Sequence, residues 1–185
     1  SLGLAPSAVV GHSQGEVGAA VVAGALTLED AARVVVARSQ LVRKLSGLGG
    51  MAVVELPVEA VTTRLESFDG ALSVAVVNTA TSTVVSGDND ALDTLLASLE
   101  AENVYSKRVN VDYASHSVHV DTIVPELLEQ LGGIVPRATT VPFYSTVTGE
   151  VMDGTALDAQ YWCRNLRETV PVSYTHLTLP TTTIV

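Results

Sequence analysis

Apolar and polar positions along the chain change period several times, and each change marks a predicted element. Ser7-Ala8-Val9-Val10 is a short apolar run stopped by Gly11 and is predicted to be a buried strand. A helix is predicted from about Gly15 to Ala23. A second opens at Thr27-Leu28-Glu29-Asp30, a Thr-x-x-Asp capping pattern. It runs to about Leu45 and ends in the cluster Gly47, Gly49, Gly50. Within it Ala31, Val34, Arg38, Leu41 and Leu45 share one stripe at helical spacing.

The middle of the chain has a different texture. Met51–Leu56 is predicted as a strand and Val58–Leu65 as a helix opening after Pro57. Leu72–Val77 and Thr83–Val85 are predicted as strands joined by a polar turn, followed by a helix over Asn89–Glu100 and a strand over Val104–Arg108. This β-α-β-β-α-β order is the split βαβ, ferredoxin-like pattern. Residues 50–110 are therefore predicted to form a small inserted subdomain, with 1–49 and 111–170 forming the core around it. After the insert, Ser117–Leu131 is predicted helical with an interruption near Pro125, and Gly132-Gly133 closes it. Pro142–Thr146 is predicted as a strand, with a turn at Thr148-Gly149, and Ala156–Leu166 as a helix. Residues 171–185 have no helical face and end in a Thr run. Val172–Thr181, VSYTHLTLPT, resembles a translated sequencing adapter, so this stretch is set aside as a non-native tail.

Composition narrows the class. The chain has 185 residues, 47% of them hydrophobic, enough for one domain with a real core or one carrying a small insert. Only 16% are charged, which argues against disorder. The net charge of −10 gives nucleic-acid binding no electrostatic footprint. Cys163 stands alone, so no disulfide forms within the chain. No charged start followed by an apolar run suggests a signal peptide. The apolar runs Ala19–Val22 and Val34–Ala37 are too short to span a bilayer. A cytoplasmic α/β protein without nucleic-acid or membrane partners is expected.

Gly11-His12-Ser13-Gln14-Gly15 matches the G-x-S-x-G nucleophile elbow, with an apolar strand before it and a helix after it. Such a turn holds the serine in a strained conformation and calls for small residues on both sides. It also sets Ser13 at a helix N-terminus, where the N–H of Gln14 is the expected donor to a developing oxyanion. A serine needs a base near neutral pH. His12 is turned away by the elbow and His176 lies in the tail, which leaves His116 and His119. His116 stands in the loop Val111–Ser117 after the insert, and His119 is expected to face solvent from the next helix. Arg38 lies in the apolar stripe of its helix, where a charge needs a partner. A carboxylate suits a guanidinium fork.

Gly11-His12-Ser13-Gln14-Gly15-Glu16 followed by Tyr113-Ala114-Ser115-His116 resembles the acyltransferase domain of modular type I polyketide synthases, and is similar to malonyl-CoA:acyl-carrier-protein transacylase. The resemblance covers about Leu2 to Val170. It implies an α/β, hydrolase-like core with a parallel sheet, carrying the inserted ferredoxin-like subdomain and truncated at both ends. The family's upstream Gly-Gln-Gly segment, source of a second oxyanion donor, is expected to precede this chain. The resemblance implies that Ser13 attacks an acyl-CoA thioester and that His116 is the base, held by a backbone carbonyl. Thr139–Gly149 resembles the segment giving that support, which assigns Ser145 to the neighbourhood of His116. It further implies that Arg38 pairs with the free carboxylate of a malonyl-type extender. Gln14 with Tyr113, Ala114 and Ser115 resembles the methylmalonyl-selective pattern, since Ser115 leaves room for an α-methyl. No bound cofactor is implied. The implied partners are acyl-CoA, the phosphopantetheine of an acyl carrier protein, and a neighbouring ketosynthase domain.

Two other readings of the same residues remain at this point. An α/β serine hydrolase would share the elbow and could draw its acid from Asp88, Asp90, Asp93 or Asp112. A catalytically inactive piece would serve only as a contact to neighbouring domains.

Overall fold

The computed structural model describes residues 6–173. The predicted tail from Tyr174 on, with His176, lies outside the described residues. The first strand, β1 (Val9–Val10), is half-buried. It pairs in parallel with β6 (Phe143–Tyr144), and β6 pairs antiparallel with β7 (Val151–Met152). The expected parallel sheet is thus a mixed one in the described region. Both predicted strands are shorter than their apolar runs, because only two residues of each find a ladder partner.

α1 (Gly15–Val22) and α2 (Leu28–Val42) follow β1, and α2 tightens into a 3-10 turn over Arg43–Leu45. Thr27 caps α2 by accepting the Asp30 N–H at 3.0 Å, as its capping pattern predicts. The stripe is also as predicted: Ala31, Val34, Leu41 and Leu45 are buried in the main core, with Phe143, Leu127, Leu157 and Trp162.

The second sheet runs β3 (Leu72–Thr79), β4 (Ser82–Asp88), β2 (Gly49–Val54), β5 (Ser106–Arg108), all antiparallel. With α3 (Val58–Leu65) and α4 (Asn89–Ala101) it completes the βαββαβ order. Gly49 and Gly50, expected to end a helix, instead open β2 opposite Asp88 and Gly87. Alternation splits the faces of this sheet. Ala52, Val54 and Val85 pack under α3 and α4 against Val61, Leu92, Leu95 and Leu99. Met51, Val53 and Val84 face the other way, towards Val170. Val172 packs on that same cluster, so the stretch set aside from Pro171 already contributes to packing.

The predicted helix over Ser117–Leu131 is two pieces, a 3-10 turn at Val118–Thr122 and α5 (Val124–Leu131). Pro125 falls in the first turn of α5, where its missing N–H costs nothing. α6 (Ala159–Arg167) starts later than predicted, because Asp158 accepts the Tyr161 N–H at 2.9 Å and caps it.

Candidate active site

The link from β1 to α1 is the elbow. A Cβ at Gly11 would lie 2.3 Å from the Gly15 carbonyl carbon, so the turn closes only with glycine there. At Gly15 a Cβ would meet nothing within 4 Å. The expectation of crowding on both sides therefore holds only for Gly11. Ser13 takes φ +50°, the left-handed region disfavoured for residues with a Cβ. The Gln14 amide, at the start of α1, has no intrahelical acceptor, which is the general condition of first-turn N–H groups.

Folding brings His116 to this hydroxyl. Ser13 Oγ and His116 Nε2 are 3.0 Å apart, and His116 Nδ1 is 2.7 Å from the Glu168 carbonyl oxygen. A carbonyl only accepts, so Nδ1 carries the proton and Nε2 is left to accept from Ser13. Burial lowers the His116 pKa to about 4, the Glu168 carbonyl opposing and Arg38 and His12 adding to the fall. The imidazole is therefore neutral at pH 7. His116 also has a left-handed backbone, φ +56°, and its N–H donates to Leu166 O at 2.9 Å.

Arg38 completes the cluster. Its Nη2 donates to Ser13 Oγ at 2.9 Å and its Nη1 to Asn165 Oδ1 at 2.8 Å. Burial lowers its pKa to about 10, with Tyr113 and Glu16 opposing, so it stays charged. Sequence reasoning found Arg38 but missed Asn165 and Glu16. Asn165 Nδ2 donates to the Ser13 carbonyl at 3.2 Å and to Glu16 Oε2. The Glu16 carboxylate is fully buried and also accepts from Thr146 N at 2.6 Å and Tyr161 Oη at 3.0 Å. Burial raises its pKa to about 7 against these donors. The signal that found Arg38 was available for both. Glu16 falls on one face with Ala19, Ala20 and Ala23, and Asn165 with Tyr161 and Trp162, each a polar group among apolar neighbours at helical spacing.

Ser145 does not hold His116, whose ring nitrogens meet Ser13 and the Glu168 carbonyl. Its hydroxyl lies 2.7 Å from Tyr161 Oη and accepts from the amides of Val147 and Thr148. Tyr161 spends its proton on Glu16, so Ser145 donates to Tyr161 and is the far end of the Glu16 network. The support expected from Thr139–Gly149 comes instead from Glu168, just past α6.

Of the expected specificity residues, Ala114 is fully buried and Tyr113 packs half-buried on the main core. Ser115 donates to Met51 Sδ at 3.4 Å, across to β2. His119 is not solvent-facing: its side chain is 14% exposed, and its Nε2 lies 2.6 Å from Asp88 Oδ1. Three of the four carboxylates that a hydrolase triad could draw on are engaged elsewhere. Asp88 holds His119, Asp93 holds Arg108, and Asp112 accepts from Ser46. Burial raises the Cys163 thiol to about 11, which removes it as a nucleophile near pH 7.

A strained serine on an elbow, a neutral histidine and a lodged arginine form a site suited to transfer of an acyl group. The profile of the acyl transferase domain family matches residues 1–183, and the chain belongs to that family. It is 59% identical over 169 residues to polyketide synthase GfsB of Streptomyces halstedii, covering 91% of this chain and 3% of that protein. It is 56% identical over 170 residues to erythronolide synthase EryA2 of Saccharopolyspora erythraea, covering 92% of this chain and 5% of that protein. Among solved structures, the acyltransferase domain from module 8 of the salinomycin polyketide synthase superposes with TM-score 0.93 at 51% identity, over 96% of this chain and 42% of that one. The malonyl CoA-acyl carrier protein transacylase from Coxiella burnetii superposes with TM-score 0.86 at 26% identity, over 94% of this chain and 57% of that one. The chain thus spans a small fraction of the curated synthases it matches and under half of the salinomycin domain. Among the described residues no helix is long and apolar enough to cross a membrane.

Proposed function

We propose that this chain carries the nucleophile, base and carboxylate clamp of an acyltransferase that moves an extender acyl group, methylmalonyl, from coenzyme A to an acyl carrier protein in polyketide synthesis. The observation that carries this reading is one hydroxyl in two hydrogen bonds: Ser13 Oγ within 3.0 Å of His116 Nε2 and 2.9 Å of Arg38 Nη2.

In the first half-reaction, His116 Nε2 takes the Ser13 proton as Oγ attacks the thioester carbon. The Gln14 N–H faces the developing oxyanion, at the positive end of α1. The C–S bond breaks, the thiolate of coenzyme A takes the proton from His116, and an acyl-serine remains. In the second, the phosphopantetheine thiol of the carrier protein gives its proton to His116 and attacks the ester carbonyl. Ser13 leaves and recovers the proton. Arg38 is one hydroxyl away from the reacting carbon, and a β-carboxylate can take over the donor that Nη2 now spends on Ser13. That exchange would also release the hydroxyl for attack. The nucleophile, the base, the Gln14 donor and Arg38 belong to the chain, a second oxyanion donor is expected from the segment upstream of it, and coenzyme A and phosphopantetheine arrive with the substrates, so no resident cofactor or metal is invoked. A ketosynthase neighbour and a cytoplasmic setting belong to this same reading.

Ser115 is small beside His116, and this supports a preference for the α-methyl group worth about 1–3 kcal/mol. The intact domain, given equimolar malonyl-CoA and methylmalonyl-CoA with a phosphopantetheinylated carrier, should load mainly methylmalonyl. Equal loading would remove the extender preference, and no loading of either would remove the transferase reading.

A further inference from the structure

The Glu168 carbonyl that holds His116 sits on a segment with no regular structure of its own, because α6 ends at Arg167. Glu168 N–H still donates to Arg164 O at 2.8 Å, so α6 anchors the residue on one side, and its carbonyl, 2.7 Å from Nδ1, belongs to the next peptide, which needs a hold of its own. The next two residues are tied to the inserted subdomain. Val170 N–H donates to Ala75 O at 2.9 Å, Val77 N–H donates to Val170 O at 3.0 Å, and Thr169 Oγ1 donates to Val74 O at 2.7 Å. Val76 and Val170 form a parallel bridge, so the segment adds itself to the outer edge of β3.

The edge is shaped for this. Along β3 the register steps from Val74 opposite Val85 to Val76 opposite Val84, so Ala75 is an extra, bulged residue. Bulges bend a strand and release a residue from its ladder. Here the released carbonyl is the one that receives Val170 N–H. Val170 is 2% exposed and packs with Ala75, Val76 and Val84, so the pairing is a buried contact.

We propose that the outer edge of β3, through Thr169 and Val170, is the positioning device for the base: the inserted subdomain fixes the Glu168 carbonyl and hence the orientation and tautomer of His116. The inference rests on the reading of His116 as base. Ala75, Thr169 and Val170 touch no reacting atom and act only through Glu168. Movement of the subdomain relative to the core would shift that carbonyl directly, which couples its position to the reactivity of Ser13.

The test uses the intact domain with Val170→Pro, which deletes the N–H to Ala75, and Thr169→Val, which deletes the hydroxyl to Val74. The His116 Nδ1 proton is followed by NMR, and acylation of Ser13 by kinetics. Loss of orientation by a fraction of an ångström should cost kcat on the order of tenfold in Val170→Pro with KM within about twofold, and move the Nδ1 proton resonance upfield. Thr169→Val should move both in the same direction by less, and it decides the matter if Val170→Pro does not fold. A folded variant with an unmoved resonance and unchanged kcat overturns the inference. His116→Ala is the control: acylation at the wild-type rate in that variant would overturn the base reading itself, whereas slow acylation there beside normal acylation in Val170→Pro and Thr169→Val would overturn the positioning role of the β3 edge alone.

Discussion

His116 donates from Nδ1 to a carbonyl that can only accept, so Nε2 is left to accept from the Ser13 hydroxyl. Burial then keeps the ring neutral far below the usual range, with its pKa near 4. The proposed base works only when unprotonated. The kcat/KM for Ser13 acylation should therefore fall only as pH drops through about 4, and stay level between about 5 and 8. A midpoint near the ordinary histidine value of 6.5 would contradict this environment. Arg38 makes a second prediction. Arg38→Ala should slow acylation by a carboxylated acyl-CoA by roughly 10–100-fold, the worth of a charge-assisted hydrogen bond, and slow acetyl-CoA much less. Equal losses with both donors, measured as kcat/KM, would contradict a carboxylate contact. Ser13 and Arg38 leave local marks in the sequence, an elbow motif and a charge in an apolar stripe, whereas His116 is separated from His119 only by the resemblance of Tyr113-Ala114-Ser115-His116 to a family motif. The Glu168 carbonyl left none, since any residue type supplies the same backbone atom.

The end of α6 is where three strands of the site meet. Asn165 holds both the Ser13 carbonyl and Arg38, Leu166 O receives the His116 amide, and Glu168 O follows within a turn. The periodicity of this element predicts a helix, and Asn165 falls on its buried face with Tyr161 and Trp162, but only the fold shows that Glu16 and Arg38 are its partners. The first turn of α1 joins the same network through Glu16, whose native pKa is raised to about 7. The folded state therefore keeps a proton that the unfolded chain releases near 4.5, and stability associated with that proton is lost as pH rises through this window. Wild type should accordingly lose stability relative to Glu16→Gln between pH 4.5 and 7, measured as the difference in urea midpoints. A wild type that holds level with Glu16→Gln, or gains on it, across this window would mean that Glu16 is ionised in the fold, with its donors outweighing its burial.

Among the described residues two larger cores, one around α1, α2, α5 and α6 and the other between the four-stranded sheet and its two helices, are joined by a smaller cluster of Ala75, Val76, Val84 and Val170. The βαββαβ order of the smaller unit was readable because each element carries its own periodicity and turn signals. The packing of residues 169–172 against β3 was not readable, because the pairing joins segments some 95 positions apart and Val170 precedes a proline. The strands β1 and β6 were overextended for a related reason: apolarity predicts burial, while strand length depends on partners supplied from elsewhere in the chain. Leu92 is completely enclosed in the smaller core. Leu92→Ala should cost about 2–5 kcal/mol in chemical denaturation of the intact domain. A cost below about 1 kcal/mol would indicate that this core is loosely packed.

The proposed reaction turns on a covalent acyl intermediate at Ser13, formed with His116 as base. The direct measurement is the mass of the Ser13 peptide after the intact domain meets methylmalonyl-CoA without a carrier protein. The peptide should gain one methylmalonyl group in wild type, none in Ser13→Ala, and the same group on the order of a hundredfold or more slowly in His116→Ala. An adduct that persists in Ser13→Ala, or that forms at the wild-type rate in His116→Ala, would contradict the account.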